Sequence, residues 1–133
     1  MTEIIQTEVV VIGAGPGGYA AAFRAADLGQ RVVLIDKEES LGGVCLNRGC
    51  IPSKALLHLT KLIDDSKEAK KKGIVFDAPK INTEEIRSWK NAIISNLSSG
   101  ISRLAKSRKV KTITGTAKFQ STNKLKVKNA ESD

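Results

Sequence analysis

The chain has 133 residues, of which 41% are hydrophobic and 27% are charged, and its formal net charge is +8. This length suffices for one domain with a core but not for two, and no apolar run reaches the roughly 18 residues of a membrane span. The excess Lys and Arg lie mainly near the ends of predicted helices and only 4% of the residues are aromatic, so we expect neither a nucleic-acid partner nor a membrane.

The first third of the chain predicts a strand, a helix and a second strand. Residues 1–8 hold two acids and no basic residue, which argues against a signal or transit peptide and favours a cytoplasmic protein. Residues 8–12 are apolar and β-branched, which indicates a buried parallel strand. A helix should begin at Pro16 and end at Gly29, and residues 31–35 form the next strand. We therefore predict an α/β, Rossmann-like domain with a parallel sheet.

Two long helices are predicted in the middle of the chain. Residues 38–46 are expected to be a loop, and a helix should run from Pro52 to Lys72, closed by Gly73. Residues 74–76 favour a short extended piece. The second helix should have Thr83 as its N-cap, and its apolar residues recur at intervals of three and four: Ile86, Trp89, Ile93, Leu97, Ile101 and Leu104.

The last part of the chain predicts three short strands. They cover residues 110–114, 116–119 and 125–127, and the last two are joined by a turn at residues 121–123. We interpret them as the start of a small antiparallel β-meander that is incomplete at its C-terminus.

A glycine-rich motif between the first strand and the first helix fits the dinucleotide fingerprint. Gly13 allows the tight turn, Gly15 lets the backbone approach a pyrophosphate, and Gly18 lets helix and strand pack closely. Asp36 lies 18 positions past Gly18, where an acid can bind a ribose hydroxyl and repel a 2′-phosphate. The alternative is a glycine-rich turn without a ligand.

Both cysteines of the chain, Cys45 and Cys50, lie close together after this motif. Five residues of regular helix rise about 7.5 Å, more than the Cα separation that a disulfide tolerates. Either the pair is not bonded or the backbone departs from a helix, which Gly49 makes easy. Cys50 should lie at a helix N-terminus, where a thiolate is favoured. A zinc site needs four ligands, and only His58 could join the two cysteines, so we expect no metal. A close cysteine pair is then expected to be redox-active, and two ordinary buried thiols are the alternative.

The segment from Gly42 to Leu57, GGVCLNRGCIPSKALL, together with the glycine motif, resembles the dihydrolipoamide dehydrogenases of the flavoprotein disulfide reductase family. Glutathione and mercuric reductases share the general plan. The resemblance extends along the whole chain, including the helix that carries Trp89 and the strand near Gly115. It implies FAD at the fingerprint, NAD as co-substrate, and oxidation of dihydrolipoyl groups through a Cys45–Cys50 disulfide.

The resemblance also implies a role for individual residues. Cys45 is the interchange thiol that attacks the lipoyl disulfide, and Cys50 is the charge-transfer thiol that faces the flavin. Asp36 binds the adenosine ribose, although many family members have Glu there. The full set implied to bind FAD is Gly13, Gly15, Gly18, Asp36, Lys37, Gly43, Val44, Cys45, Lys54 and Ala117.

The family continues well beyond 133 residues. We therefore expect residues 1–133 to be the N-terminal part of an FAD-binding domain, without the NAD domain and the dimer-interface domain. The complete protein would be a homodimer that acts on a lipoyl-carrying acyltransferase or carrier protein of a 2-oxo acid dehydrogenase or glycine cleavage complex. His58 is not the family's catalytic base, and the chain alone should be inactive. A non-catalytic FAD- or ADP-binding module, or a related flavin disulfide reductase, is the alternative.

Overall fold

The computed structural model describes residues 3–128 and has a mixed α/β architecture, as predicted. The β-meander was predicted to be incomplete at its C-terminus. That prediction concerns residues 129–133, which lie outside this range. In chain order, the elements are β1 (Val9–Ile12), α1 (Pro16–Asp27), β2 (Val32–Asp36), α2 (Gly43–Asn47), α3 (Cys50–Lys70), α4 (Thr83–Ser107), β3 (Lys111–Thr114), β4 (Thr116–Ser121) and β5 (Lys124–Lys128).

A three-stranded parallel sheet forms the centre of the fold, in the order β1-β2-β3. Leu34 of β2 pairs with Val11 on one side and Thr112 on the other. Four of the five residues of β2 are buried, as expected for a central parallel strand. β4 and β5 form a separate antiparallel pair, so the predicted combination of a parallel sheet and a small antiparallel unit is confirmed.

The core joins the sheet to α1 and α4. Small residues allow close contact: Ala22 of α1 and Ala105 of α4 are 0% and 1% exposed. Burying apolar side chains here supplies the main stabilisation of the fold, at roughly 25 cal/mol for each Å² removed from water. The buried cluster comprises Ala14, Ala22, Val32, Leu34, Leu41, Leu46, Ile101, Ala105 and Val110.

Two boundaries around the cysteines differ from the prediction. The expected loop over residues 38–46 is wrong in its last part, because α2 begins at Gly43. Gly42 and Gly43 have φ angles of 113° and 62°, so the chain turns sharply into this short helix. α3 begins at Cys50, not at Pro52, since proline is tolerated in the first turn of a helix.

The start of α4 also differs by one residue. Asn82, and not Thr83, is its N-cap: the Oδ1 atom of Asn82 accepts hydrogen bonds from the backbone N–H groups of Glu84 and Glu85 at 3.1 and 3.2 Å. Asn is among the preferred residues at this position. Residues 74–76 form no strand, and their side chains are exposed. Within residues 3–128, no helix is both long and apolar enough to cross a membrane.

Candidate functional site

The glycine motif forms the turn from β1 into α1. Gly13 has a φ of 97°, and its N–H donates to the Ile35 carbonyl oxygen at 2.7 Å. A Cβ at Gly18 would overlap the Gly13 carbonyl oxygen, so α1 lies tight against the end of β1. A Cβ built at Gly15 meets no atom within 4 Å, and no side chain caps the N-terminus of α1. This open, uncapped helix end fits a pyrophosphate.

Asp36 lies at the carboxyl end of β2, beside this turn. Its Oδ2 atom accepts a hydrogen bond from the Ala14 N–H at 2.5 Å, and its Oδ1 atom accepts one from the Glu38 N–H at 2.9 Å. A carboxylate has about four acceptor sites, so ribose hydroxyls can still bind. Asp36 therefore fixes the glycine turn and keeps acceptor sites for further hydrogen bonds. Lys37 next to it is exposed.

The cysteine-bearing segment lies directly on the glycine turn. The Gly42 N–H donates to the Ala14 carbonyl oxygen at 2.9 Å. A Cβ at Gly43 would come within 2.6 Å of the Gly15 Cα atom, so only glycine permits this approach. The two motifs, nearly thirty residues apart in the chain, thus contact each other backbone to backbone.

The backbone between the cysteines is broken and is not one continuous helix. α2 ends at Asn47, and Gly49 has φ and ψ angles of −120° and −102° before α3 begins at Cys50. A Cβ at Gly49 would lie 3.1 Å from the Val44 carbonyl oxygen, so the chain folds back closely on α2. The structure shows both features that the spacing allowed: the backbone departs from a helix, and the two thiols are not bonded to each other.

The environment of Cys45 alters its acidity. The pKa of the Cys45 thiol is raised, chiefly by a side-chain hydrogen bond with Cys50 and further by partial desolvation. The positive charge of Lys54 acts in the opposite direction. Lys54 is therefore a cation that acts on Cys45, whereas Arg48 forms an ion pair with Glu38 at 2.8 Å.

This environment predicts how alkylation of Cys45 depends on pH. The Cys50→Ala variant should lower the midpoint of the alkylation profile, because the hydrogen bond that favours the neutral Cys45 thiol is gone. In that background, Lys54→Gln should raise the midpoint, because a charge that favours the thiolate is lost. Peptide mass spectrometry after iodoacetamide treatment measures both shifts.

Lys61→Gln is the matched control for the loss of charge. Lys61 lies on the same helix as Lys54 but pairs with Asp65 at 2.8 Å. The Lys61→Gln substitution should leave the midpoint of the Cys45 alkylation profile unchanged. An unchanged midpoint in Cys50→Ala would mean that the two thiols do not interact.

The remaining residues that the sequence singled out lie beside the cysteines, on α3 and in β4. Val44 is exposed next to Cys45, and His58 is exposed on α3. Ala117 lies in β4, away from the glycine turn in sequence, but the preceding turn is tied to β2: the Gly115 N–H donates to the Asp36 carbonyl oxygen at 2.7 Å. The structure thus brings the start of β4 to the same end of the sheet as Asp36.

Several residues of the site were missed by sequence reasoning. Ala14 is fully buried and bonds to both Asp36 and Gly42. Ser98 of α4 and Asn47 of α2 hold the loop before α2. Ser98 gave one sequence signal: it stands in line with Ile94, Ile101 and Ala105 on the core face of α4, where a hydroxyl needs a partner.

The chain matches the pyridine nucleotide-disulphide oxidoreductase family over residues 7–133. It is 50% identical to a dihydrolipoyl dehydrogenase of Buchnera aphidicola subsp. Schizaphis graminum over 133 residues, which are 100% of this chain and 28% of that protein. A dihydrolipoyl dehydrogenase of Haemophilus influenzae is 50% identical over 94% of the chain and 26% of its own length. One of Staphylococcus aureus is 42% identical over 96% and 27%. The chain therefore spans about a quarter of these relatives.

Proposed function

This chain belongs to the pyridine nucleotide-disulphide oxidoreductase family, and we propose that it is the N-terminal part of a dihydrolipoyl dehydrogenase. Membership of this group implies FAD as the bound cofactor and NAD as the co-substrate. In this proposal, residues 1–133 are part of an FAD-binding domain, and the protein works as a homodimer in the cytoplasm. Its partner is a lipoyl-carrying protein of a 2-oxo acid dehydrogenase or glycine cleavage complex.

The observation that carries the proposal is the contact between Gly43 and Gly15. A pyrophosphate at the N-terminus of α1 would have the dithiol segment immediately beside it, because Cys45 is two residues after Gly43. A structural cysteine pair would not need a backbone approach that excludes every residue except glycine. The arrangement supports electron exchange between the two cysteines and a cofactor held at the turn.

In this proposal, the glycine turn binds the pyrophosphate and Asp36 binds the adenosine ribose, flanked by Lys37 and by Ala117 at the adenine. Gly43, Val44 and Lys54 border the flavin. FAD, when bound, supplies the two-electron step between a dithiol and a nicotinamide.

The cysteines carry the exchange with the lipoyl group. Oxidation of a dihydrolipoyl group to its disulfide releases two electrons and two protons, and the Cys45–Cys50 disulfide takes them up to become two thiols. Cys45 is the thiol that forms the mixed disulfide with the lipoyl group, and Cys50 is the one that faces the flavin. The exposed Val44 leaves room for a lipoyl arm beside Cys45.

Two alternatives stay open for the same site. A related flavin disulfide reductase would use the same cysteines with another disulfide substrate. A non-catalytic FAD- or ADP-binding module would use the glycine turn and Asp36 alone. The tight seating of the cysteine segment on the turn favours a redox role over the second alternative.

The test is turnover of dihydrolipoamide and NAD⁺ by the longer protein that contains this chain. We expect yellow, flavin-containing protein with this activity, and no turnover by residues 1–133 alone. His58→Ala should keep the activity, because His58 is exposed on α3 and has no assigned role. Turnover that survives serine at both Cys45 and Cys50 would contradict the proposal, and so would reduction of glutathione disulfide with no reaction of dihydrolipoamide.

A further inference from the structure

We propose that Ser98 of α4 is a positioning residue for the Cys45–Cys50 pair. It acts through Ser40 and Asn47, which hold the loop that leads into α2. The inference rests on the proposed redox role of the two cysteines. It assigns to α4, a helix with no residue in the predicted site, the task of setting the geometry of the dithiol.

Ser98 is the one buried polar residue of the described core, at 8% exposure. Its hydroxyl lies 2.7 Å from the Ser40 hydroxyl and 3.1 Å from the Leu41 carbonyl oxygen. The single proton of Ser98 can be donated to either group, and donation to Ser40 leaves the Ser40 proton for Asn47. Both partners belong to the loop between β2 and α2. A buried hydroxyl between these two partners holds the loop in one place, because without it a buried polar group of the loop is left unpaired.

Asn47 completes the connection from the other side. Its Oδ1 atom accepts from the Ser40 hydroxyl at 3.1 Å. Its Nδ2 group donates to the Gly43 carbonyl oxygen at 3.0 Å, with longer bonds to the carbonyl oxygens of Ser40 and Leu41 at 3.4 Å. The path therefore runs from Ser98 through Ser40 to Asn47, which lies between the two cysteines.

α2 needs such external support because it cannot hold itself. It has five residues, and a helix this short has too few internal hydrogen bonds to be stable. It also begins at two glycines with positive φ angles, which are flexible unless other contacts fix them. Without the Ser98 hydroxyl, we expect α2 to sample other positions and Cys45 to spend less time beside Cys50.

The consequence is measurable as the ease of disulfide formation. When Cys45 and Cys50 form a disulfide, two thiols lose two electrons and two protons, and one molecule of glutathione disulfide becomes two of glutathione. The equilibrium depends on the effective concentration of one thiol at the other, which precise positioning raises. A loosened α2 therefore lowers the equilibrium constant.

The experiment titrates residues 1–133 in glutathione buffers and measures the fraction of Cys45–Cys50 disulfide by thiol trapping. Ser98→Val should lower the equilibrium constant about tenfold. Ser98→Thr, which has the shape of valine but keeps the hydroxyl, should have an equilibrium constant near the wild-type value. Ser99→Ala, an exposed neighbour on α4, is the control for any change on this helix.

Equal constants in Ser98→Val and Ser98→Thr would overturn the proposal. If Ser98→Val does not fold, Ser40→Ala takes its place. This substitution removes the link to Asn47 but keeps the Ser98 bond to Leu41. An unchanged equilibrium constant in Ser40→Ala would likewise overturn the proposal. The readout needs neither flavin nor lipoyl substrate. If the longer protein does not turn over dihydrolipoamide but Ser98→Val lowers the disulfide equilibrium constant, only the proposed function is refuted. If dihydrolipoamide is turned over but Ser98→Val leaves the constant unchanged, only this inference is refuted.

Discussion

Replacing Gly18 with alanine should destabilise the fold by about 3 kcal/mol or more, because the new methyl group would overlap the Gly13 carbonyl oxygen. Neither atom can move easily: Gly18 lies in α1, and Gly13 is bonded to Ile35 of β2 through its N–H. Relief would require α1 to move away from the sheet and so to open the contact of Ala22 with the core. Urea unfolding followed by circular dichroism measures the loss.

Gly17→Ala is the matched control, with an expected effect of opposite sign. A Cβ at Gly17 meets no atom within 4 Å, and the residue lies in the first turn of the same helix. Alanine there should stabilise the chain by about 0.4–1 kcal/mol, because it restricts the unfolded state. Similar unfolding midpoints for the two variants would show that α1 does not approach β1 as closely as the structure has it.

Replacing Gly43 with alanine should destabilise the chain by about 3 kcal/mol and detach the cysteine segment from the glycine turn. Two causes add: the residue has a φ of 62°, which costs an L residue about 1–2 kcal/mol, and its Cβ would lie 2.6 Å from the Gly15 Cα atom. We also expect slower and less complete disulfide formation between Cys45 and Cys50. Urea unfolding and thiol trapping report the two effects.

Gly29→Ala separates the two causes. Gly29 also has a positive φ, 84°, but a Cβ there meets nothing within 4 Å. The Gly29→Ala variant should therefore lose only the part of the stability that comes from the positive φ, about 1–2 kcal/mol, and should keep the normal Cys45–Cys50 disulfide equilibrium. Equal losses in Gly43→Ala and Gly29→Ala would mean that the contact between Gly43 and Gly15 contributes nothing.

Much of this fold could be predicted because its signals are local. The β-branched run of β1, the proline at the start of α1 and the glycine after its end define the first unit within two residues at each boundary. The same is true of the turn between β4 and β5. The roles of Gly13 and Gly18 were also predictable, since the motif has a known geometry and the flanking elements were recognisable.

The contacts that assemble the site could not be predicted in the same way. The bonds from Ala14 to Asp36 and Gly42 join residues that are far apart in the chain, and no periodic pattern encodes them. Ser98 lies on the core face of α4 with Ile94 and Ile101, and no sequence pattern indicates which distant groups its hydroxyl meets. The short helix α2 was missed because a five-residue segment that begins with one glycine and follows another has little helical propensity of its own and depends on its neighbours.

The parallel pairing of β2 with β3 has a consequence for how the protein is made. Leu34 and Thr112 are neighbours in the sheet but are separated by 78 positions. A ribosome therefore releases Val33, Leu34 and Ile35 long before it has synthesised the strand that covers their edge. During that interval the nascent chain presents an open, apolar strand edge, a feature that favours aggregation and recruits chaperones. β3, the last strand of the parallel sheet to be synthesised, closes that edge, and the Gly115 N–H then bonds to the Asp36 carbonyl oxygen at the end of β2.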